Sequence, residues 1–325
     1  MSSIANAALA EPAPKAKPEA MTKAASPIVM GVTLSHADKA LWPDGGDGRA
    51  VSKLDLARYL EAVGPWMMPH IAGRPCSIIR TPNGIDGDGR FFQRHLGKGS
   101  SALISQVTVA GDPKPYLQID RIEALAALAQ GGATEFHPWN CRPGWPELPG
   151  RLIFDLDPEE GLSFERVIED ALEVKARLEA LGLAAFCKTT GGKGLHVVAP
   201  LKGGRSQVDW AAAKAFTRDV CQAMEADRPD RYVANMAKAR RVGRVFLDYL
   251  RNDRMATAVA PLSPRARPGA PVSFPLSWSQ VKPGLDPGAF TLRTAPALLS
   301  ATAAWADYGE AEQPLGPAIR KLKSR

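Results

Sequence analysis

The segment over residues 151–201 constrains the fold more than any other part of the chain. Its first residues, RLIFDLDP, alternate with a period of two, which predicts a buried strand with Asp155 and Asp157 on one face. Apolar residues then recur at helical spacing over 164–181. AAFCKTT and LHVVAPL predict two more strands, joined by the glycine turn GGKG. This order of strand, helix, strand, turn and strand predicts an α/β (α+β) architecture.

The two ends of the chain differ in composition from its middle. Residues 1–28 consist mainly of Ala, Pro, Lys, Glu and Ser, which predicts a disordered tail or linker, because such a segment cannot bury a core. Apolar clusters recur over 29–308 and predict one globular domain with a small amino-terminal lobe. Residues 309–325 predict a flexible carboxy-terminal tail. LDLARYLEAVGPWM and DRIEALAALAQ predict helices, whereas the rest of the first half has no clear element pattern.

Cysteine spacing and hydropathy indicate the cellular compartment of the protein. The four cysteines lie far apart and form no CxxC pair, which predicts reduced thiols in a cytoplasm rather than a disulfide framework. His137 and Cys141 in FHPWNC lack the two further ligands at short spacing that a zinc site needs. No apolar run approaches the roughly 20 residues that span a bilayer. We therefore expect a cytoplasmic protein with no membrane partner.

Three carboxylates carry the first chemical signal. Asp155 and Asp157, at i and i+2 on one strand face, repel each other unless a cation lies between them. Magnesium or manganese, bound by carboxylates and substrate phosphates, resolves that conflict in phosphoryl and nucleotidyl transfer. The alternative is that the two carboxylates cap the next helix or face solvent. Asp248, inside the apolar run VFLDYL, is a third candidate ligand and favours the metal interpretation.

A glycine-rich segment, KTTGGKGLH, follows the helix after this strand. Backbone N–H groups near glycines can approach an anion closely, while Thr190, Lys193 and His196 supply a hydroxyl, a charge and a ring donor. The segment is not a Walker A loop, because Gly194 follows the lysine where Ser or Thr is required. A glycine hairpin with a surface lysine is the alternative. The neighbouring aspartate strand favours a triphosphate cradle.

Basic residues are concentrated in one stretch. The formal net charge of the whole chain is +7, which by itself is compatible with nucleic acid, an anionic surface or simple solubility. Residues 231–270 contain nine Arg and Lys against two Asp, a local net charge of +7. Such runs are usually solvated faces, but this one surrounds Asp248 and is rich in arginine, which suits phosphate recognition. A phosphate-rich partner is therefore predicted.

An aromatic pair lies in a second basic segment. RTPNGIDGDGRFFQRH places Phe91 and Phe92 among Arg80, Arg90 and Arg94. Paired aromatics in a basic loop suit base stacking on a nucleic-acid strand. The alternative is a pair of core aromatics at the start of a strand.

Together, FDLDP, TTGGKGLH and VFLDYLRN, preceded by RTPNGIDGDGRFFQRH, resemble the polymerase domain of bacterial ligase D, a member of the archaeo-eukaryotic primase superfamily. The resemblance extends over about residues 34–305. It implies a primase-polymerase fold, with a mixed or antiparallel sheet flanked by helices. It also implies a nucleotidyltransferase of bacterial non-homologous end joining, which adds nucleotides, preferably ribonucleotides, to a primer 3′-OH at gaps and broken ends. Two divalent ions, Mn²⁺ or Mg²⁺, would be its cofactors.

The resemblance also implies roles for individual residues. His36 stands where many relatives carry Asn shortly before a phosphate-binding lysine. The metal-binding and catalytic residues fall on Asp155, Asp157 and Asp248; the nucleotide-binding residues on Thr190, Lys193, Gly194, His196, Arg241, Arg265 and His137; and the DNA-binding residues on Phe91, Phe92, Arg80 and, for the 5′-phosphate of a gap, Lys39 and Lys53.

The implied partners are DNA ends, gapped duplex with a 5′-phosphate, ribo- and deoxynucleoside triphosphates, the Ku end-binding protein and a DNA ligase, in a nucleoid-associated setting. Three alternatives stay open. One is a primase that starts chains de novo. Another is a haloacid-dehalogenase-type phosphatase, which normally has Gly-Thr or a similar pair where this chain has Pro158-Glu159. The third is a non-catalytic DNA-bridging module.

Overall fold

The structure, a computed structural model, describes residues 25–204 and 208–324. The predicted amino-terminal tail lies outside the described residues, except for 25–28. The helices of the described part are α1 (Lys53–Ile71), α2 (Glu123–Gln130), α3 (Phe164–Ala180), α4 (Trp210–Asp227), α5 (Ala295–Ser300) and α6 (Leu315–Lys323), with short 3₁₀ turns at Lys238–Arg240, Leu250–Asn252 and Pro287–Ala289.

The strands of the described part are mostly short. They are β1 (Ile28–Val29), β2 (Val32–Thr33), β3 (Ala40–Trp42), β4 (Val51–Ser52), β5 (Pro75–Arg80), β6 (Phe91–Gln93), β7 (Ser105–Val107), β8 (Tyr116–Gln118), β9 (Ala133–Pro138), β10 (Cys141–Arg142), β11 (Trp145–Pro149), β12 (Arg151–Pro158), β13 (Phe186–Thr189), β14 (Leu195–Pro200), β15 (Tyr232–Val233), β16 (Val245–Asp248) and β17 (Pro275–Leu276).

Two larger sheets organise these strands. In the first, β5 pairs antiparallel with β9 on one edge and with β6 and β8 on the other, and β7 continues from β8. The second has the order β15-β16-β12-β14-β13-β17, and only its β15–β16 pair is parallel. The predicted mixed, largely antiparallel sheet with flanking helices is confirmed. The first sheet and helices α1 and α2 are formed by residues of the amino-terminal half of the chain.

The segment 151–201 folds as a split β-α-β unit. Strands β12 and β13 are both antiparallel to β14, which lies between them, and α3 connects them. Helix α3 packs against β12 and β14 and buries Val167, Ile168 and Leu178 in the same core as Leu156. The opposite face of β12 is therefore left free for Asp155 and Asp157, as the period of two predicted.

A single apolar core joins the two sheets. It includes Leu56 and Leu60 of α1, Phe136 of β9, and Leu152 and Leu156 of β12, all with no exposed surface. The two sheets therefore pack on a shared core, and Asp155 and Asp157 of β12 lie against a close-packed support.

The carboxy-terminal segment corrects one expectation. Within 309–324 the structure has an ordered helix, α6, rather than a flexible tail. Leu315 and Ala318 are buried, and Ile319 and Leu322 pack against the main core, so the helix presents apolar residues at i, i+3, i+4 and i+7. The Pro- and Gly-containing composition of this short segment concealed that stripe.

Buried His70 gives a stability prediction. Burial, with the nearby charges of Arg151 and Arg74, lowers its pKa to about 3. Since the unfolded chain takes up this proton and the native protein does not, stability falls as the pH decreases from about 7 toward 3, by about 2 kcal/mol at pH 5. His70→Phe should remove that part of the decline in urea unfolding at pH 7.5 and 5. The exposed His36→Asn control should retain it, and an unchanged slope in His70→Phe would contradict the assignment.

Candidate active site

A row of polar side chains crosses the middle of the second sheet. On neighbouring strands, Lys188 lies opposite His196, His196 opposite Asp155, and Asp155 opposite Asp248. Residues directly opposite each other in antiparallel strands share a face of the sheet. The pairing of β13, β14, β12 and β16 therefore aligns one lysine, one histidine and two carboxylates, with Asp157 two residues farther along the same face.

Each carboxylate contacts cationic or hydrogen-bonding groups. Arg251 Nε lies 3.4 Å from Asp155 Oδ2 and 3.2 Å from Asp248 Oδ2, and so bridges the two. His196 Nε2 lies 3.2 Å from Asp155 Oδ1. The third carboxylate, Asp157, has different partners. Arg241 Nη1 donates to Asp157 Oδ2 at 3.1 Å, and Lys193 Nζ lies 3.9 Å from Asp157 Oδ1.

Burial and neighbouring charges shift the pKa values of these groups in different directions. Burial acts to raise the pKa of Asp155, but His196, Arg251 and Lys188 outweigh it and hold the pKa well below its usual range. Burial raises the pKa of Asp248, and Arg251 only partly opposes this. Burial and the charge of Lys188 lower the pKa of His196 to about 4, so its ring is neutral at neutral pH and can donate Nε2–H to Asp155.

The glycine-rich turn borders a cavity beside this row. Thr190 Oγ1 donates to the Gly194 carbonyl at 3.0 Å and closes the turn. A Cβ at Gly194 would overlap the Leu156 carbonyl oxygen, so glycine allows the turn to pack directly on β12. The cavity measures about 240 Å³, and its lining includes His137, Asp155, Asp157, Thr190, Lys193, Gly194, His196, Arg251, Arg265 and Arg267.

Glu135 on β9 organises the basic side of the cavity. Its carboxylate is fully buried and accepts hydrogen bonds from Arg265 Nε at 2.8 Å, the Ala266 backbone N–H at 2.9 Å and His137 Nε2 at 2.8 Å. Burial acts to raise the pKa of Glu135, but the contacts with His137 and Arg265 lower it to about 2. The anionic Glu135 therefore fixes His137 and Arg265, and Arg265 also donates to the Thr190 carbonyl.

The aromatic pair is on the surface. Phe91 is 43% exposed and Phe92 49%, so they are not core residues. The Arg80 guanidinium lies 5.2 Å from the Phe91 ring centre, while Arg80 also donates to the Gly131 carbonyl and the Gln93 side chain. A second cavity of about 300 Å³ adjoins the first, and its lining includes Phe92, Arg94, Tyr116, Asp248 and Arg251.

The two lysines predicted to bind a 5′-phosphate lie together, outside both cavities. Lys53 is the first residue of α1, where Ser52 and Asp55 form a capping box. Its Nζ donates to the Ser35 carbonyl at 2.8 Å, and burial and the charge of Lys39 lower its pKa. Lys39 Nζ donates to Asn83 Oδ1 at 3.1 Å, and its backbone carbonyl accepts from the Lys53 N–H.

The donor set suits a hard divalent cation. Within 25–204 and 208–324, no three His, Cys, Asp or Glu side chains converge as a preformed metal site. The three aspartates nevertheless offer only oxygen donors, as Mg²⁺ and Mn²⁺ prefer, and each of them contacts a positive side chain. Arg251 and Arg241 therefore occupy the positions beside these carboxylates where a cation would neutralise them.

Comparison with known proteins identifies the family. The sequence model described as "LigD, primase-polymerase domain" matches residues 52–305, most of the chain. The chain belongs to the LigD primase-polymerase family. This is a family of nucleotidyltransferases, so the predicted enzyme class is confirmed. None of the helices within 25–204 and 208–324 combines the length and the apolar composition of a membrane span.

Curated relatives carry the LigD name. The chain is 36% identical over 300 residues to the multifunctional non-homologous end joining protein LigD of Pseudomonas aeruginosa, covering 91% of this chain and 35% of the relative. It is 37% identical over 260 residues to the multifunctional non-homologous end joining DNA repair protein LigD of Mycobacterium tuberculosis, covering 77% and 33%. The chain thus spans about a third of the length of these LigD relatives.

A solved structure agrees with the LigD assignment. The polymerase domain from Mycobacterium tuberculosis ligase D, determined in complex with DNA, superposes with a TM-score of 0.76 at 32% identity. The match covers 85% of this chain and 97% of that one. The fold implied by the sequence resemblance is therefore confirmed.

The sequence analysis assigns no individual role to four residues of the site. Arg251 and Arg267 belong to the basic run, and Lys188 is the first residue of the glycine-rich segment. Glu135 was missed, although Glu135 and His137, two residues apart in an apolar strand, repeat the spacing of Asp155 and Asp157. That repeat was the available signal.

Proposed function

We propose that this LigD-family domain adds nucleotides, preferably ribonucleotides, to a primer 3′-OH at gaps and broken DNA ends during bacterial non-homologous end joining. One observation carries the proposal: Asp155 and Asp157 of β12 line a basic cavity bordered by the glycine turn, and Asp248 of β16 lies directly opposite Asp155. An acidic face for cations, adjoining a basic pocket for phosphates, is the arrangement that nucleotidyl transfer requires.

Asp155, Asp157 and Asp248 are the residues that would hold two divalent ions, Mn²⁺ or Mg²⁺. Such ions, when bound, lower the pKa of a hydroxyl and neutralise phosphate charge. The chain itself prepares the ligands. The surrounding contacts keep Asp155 ionised, and neutral His196, with Nε2 3.2 Å from Oδ1, orients that carboxylate. His196 is thus a positioning residue for Asp155 as well as a candidate nucleotide contact.

The basic wall of the cavity would bind the nucleotide. Lys193, Arg265 and Arg267 line it, and Arg241 lies at its acidic edge, so positive charge is available for the β and γ phosphates. Glu135 holds His137 at the same cavity, where the imidazole is suited to contact the ribose. Electrostatic positioning of this kind leaves little for a side-chain base to do.

The second cavity would receive the primer end. Its lining includes Asp248 and Phe92. Because the Phe92 ring is exposed and is not part of the core, it can stack on a base without losing core contacts. Arg94 lies 5.8 Å from that ring and can neutralise a backbone phosphate. Phe91 and its neighbour Arg80 lie on the opposite face of β6, where Arg80 and Gln93 line a separate cavity.

Lys53 and Lys39 give a prediction about gap recognition. Lys53→Gln should reduce the preference for a 5′-phosphorylated over a 5′-hydroxyl gap about tenfold, because a charge-assisted hydrogen bond at the helix N-terminus is lost. Fluorescence anisotropy with the two gapped duplexes measures this. Lys282→Gln, at an exposed loop lysine, is the matched control and should keep the preference. Equal affinity of the wild-type protein for the 5′-phosphorylated and the 5′-hydroxyl gap would contradict a 5′-phosphate pocket at Lys53 and Lys39.

The broader setting is also part of the proposal. The relatives named as end joining proteins are multifunctional, and this chain matches about a third of their length. We infer that the domain works on ends gathered by Ku and later sealed by a DNA ligase, in the nucleoid.

A substrate panel tests the proposal against its alternatives. The protein is incubated with Mn²⁺ and labelled UTP on a 5′-phosphorylated gapped duplex, on a primer-free template, and separately with a phosphomonoester. Extension of the primer into the gap is expected. Incorporation of label only on the primer-free template would indicate a primase. Release of phosphate alone would indicate a phosphatase, and DNA binding without incorporation of label would indicate a bridging module. Each of these outcomes would overturn the proposal.

A further inference from the structure

Arg251 separates the two cavities of the candidate active site. It lines the cavity that contains Asp155, Lys193 and Arg265, and also the one that contains Asp248 and Phe92. We propose that Arg251 is an internal counter-ion, which holds Asp155 and Asp248 together before metal binds and which divalent cations displace. The inference rests on the proposed function, because it requires these aspartates to bind metal.

The backbone of the short turn that contains Arg251 is held by hydrogen bonds to Asn140, β12 and β16. The Arg251 carbonyl accepts a hydrogen bond from Asn140 Nδ2 at 3.0 Å. The next residue, Asn252, is fully buried and bonds both the N–H and the carbonyl of Ile153 at 2.7 Å. Leu250 N–H donates to Asp248 Oδ1 at 2.9 Å. The 3₁₀ turn is therefore fixed, and any rearrangement of Arg251 must be made by its side chain.

The side chain itself is held only loosely. Arg251 Nε lies 3.2 Å and 3.4 Å from the two carboxylates, yet it is buried and forms no hydrogen bond of acceptable geometry with either. Arg254, three residues later, instead donates two bonds of 2.7 Å to Glu147. The Arg251 side chain is also 43% exposed, so it can turn into solvent. A cation held by charge without directional bonds is one that a divalent ion can replace.

Displacement would also join the two cavities. Asp155 faces the cavity with the basic wall, Asp248 faces the one with the aromatic ring, and the guanidinium lies between them. A nucleotide and a primer end must meet between these carboxylates for the proposed reaction. Arg251 in its present position therefore keeps the two cavities separate until cations neutralise both aspartates.

Manganese binding tests this inference without any turnover. Free Mn²⁺ is measured by electron paramagnetic resonance during titration of the protein in the absence of DNA and nucleotide. Arg251→Gln should bind Mn²⁺ about fivefold more tightly than wild type, because the competing charge is removed. Arg251→Lys, which keeps a charge, and Arg254→Gln, which breaks a remote pair, should bind as wild type does. Unchanged or weaker binding by Arg251→Gln would overturn the inference.

Thermal unfolding gives a second readout. In EDTA, Arg251→Gln should melt below wild type, since the repulsion between Asp155 and Asp248 then loses the charge that lies between them. Saturating Mn²⁺ should raise its melting temperature more than it raises that of wild type. An equal rise in both proteins would contradict a counter-ion role.

A third variant separates failure of this inference from failure of the proposed function. Asp155→Asn should abolish the tight Mn²⁺ site in both the wild-type and the Arg251→Gln backgrounds. If it leaves Mn²⁺ binding intact, the metal site of the proposed function is wrong, and the inference falls with it. If Asp155→Asn removes binding but Arg251→Gln does not strengthen it, only the role given to Arg251 is wrong.

Discussion

Asp155→Asn should lower nucleotide addition at least about a thousandfold, corresponding to roughly 4 kcal/mol of transition-state stabilisation. The substitution keeps the size of the side chain and removes a charge in the middle of the row formed with His196 and Asp248. Phosphate charge at the reacting centre would then be left uncompensated. The measurement is the single-turnover rate of primer extension on a gapped duplex with Mn²⁺.

Two controls define that result. Affinity for the gapped duplex should stay within about twofold of wild type, because Asp155 does not line the cavity beside Phe92 and Lys53 lies outside both cavities. Anisotropy measures this affinity. Asp219→Asn, in an exposed ion pair with Arg218, should extend the primer at the wild-type rate. Primer extension by Asp155→Asn at a rate comparable to wild type would show that Asp155 of β12 has no catalytic role.

Glu135→Ala should have the second-largest effect, on both stability and nucleotide affinity. It removes a fully buried carboxylate and leaves Arg265 and the Ala266 N–H without their partner. Breaking one side of a buried pair costs about 3 kcal/mol or more. Urea unfolding measures this loss. The KM for the nucleotide should also rise about tenfold, because Arg265 and His137 are no longer fixed beside the cavity.

An exposed pair provides the matched control for Glu135. Glu147→Ala breaks the contact with Arg254 at the surface and should cost less than about 1 kcal/mol, without a change in KM. The double variant Glu135→Ala/Arg265→Ala should regain part of the lost stability, since no unpaired buried charge remains. If Glu135→Ala is no less stable than Glu147→Ala, the buried network does not support the site.

The segment 151–201 could be predicted because its information is local. The period of two placed Asp155 and Asp157 on one face, and the helical period defined α3 within one or two residues. The first half of the chain gave less, because strands such as β4 and β6 are only two or three residues long and carry no readable period. Their positions depend on tertiary pairing with β3 and β5.

The geometry of the site depends on register, which the sequence does not state. Asp248 is far from Asp155 along the chain, and only the β12–β16 pairing places the two opposite each other. Glu135 and Arg251 escaped prediction partly for the same reason, since Arg265, a partner of Glu135, and Asp155, a partner of Arg251, lie far away along the chain. The family motifs identified most cavity residues, but they could not indicate which side chains hold others in place.

The most direct test of the account is whether primer extension by the wild-type protein depends on a divalent cation. A 5′-phosphorylated gapped duplex and labelled UTP are mixed with the protein in EDTA and then at increasing Mn²⁺ concentration, and single-turnover extension is measured. The account predicts no extension in EDTA and a rate that rises to saturation as Mn²⁺ fills the site at Asp155, Asp157 and Asp248. Extension in EDTA, or no extension at any Mn²⁺ or Mg²⁺ concentration, would contradict it.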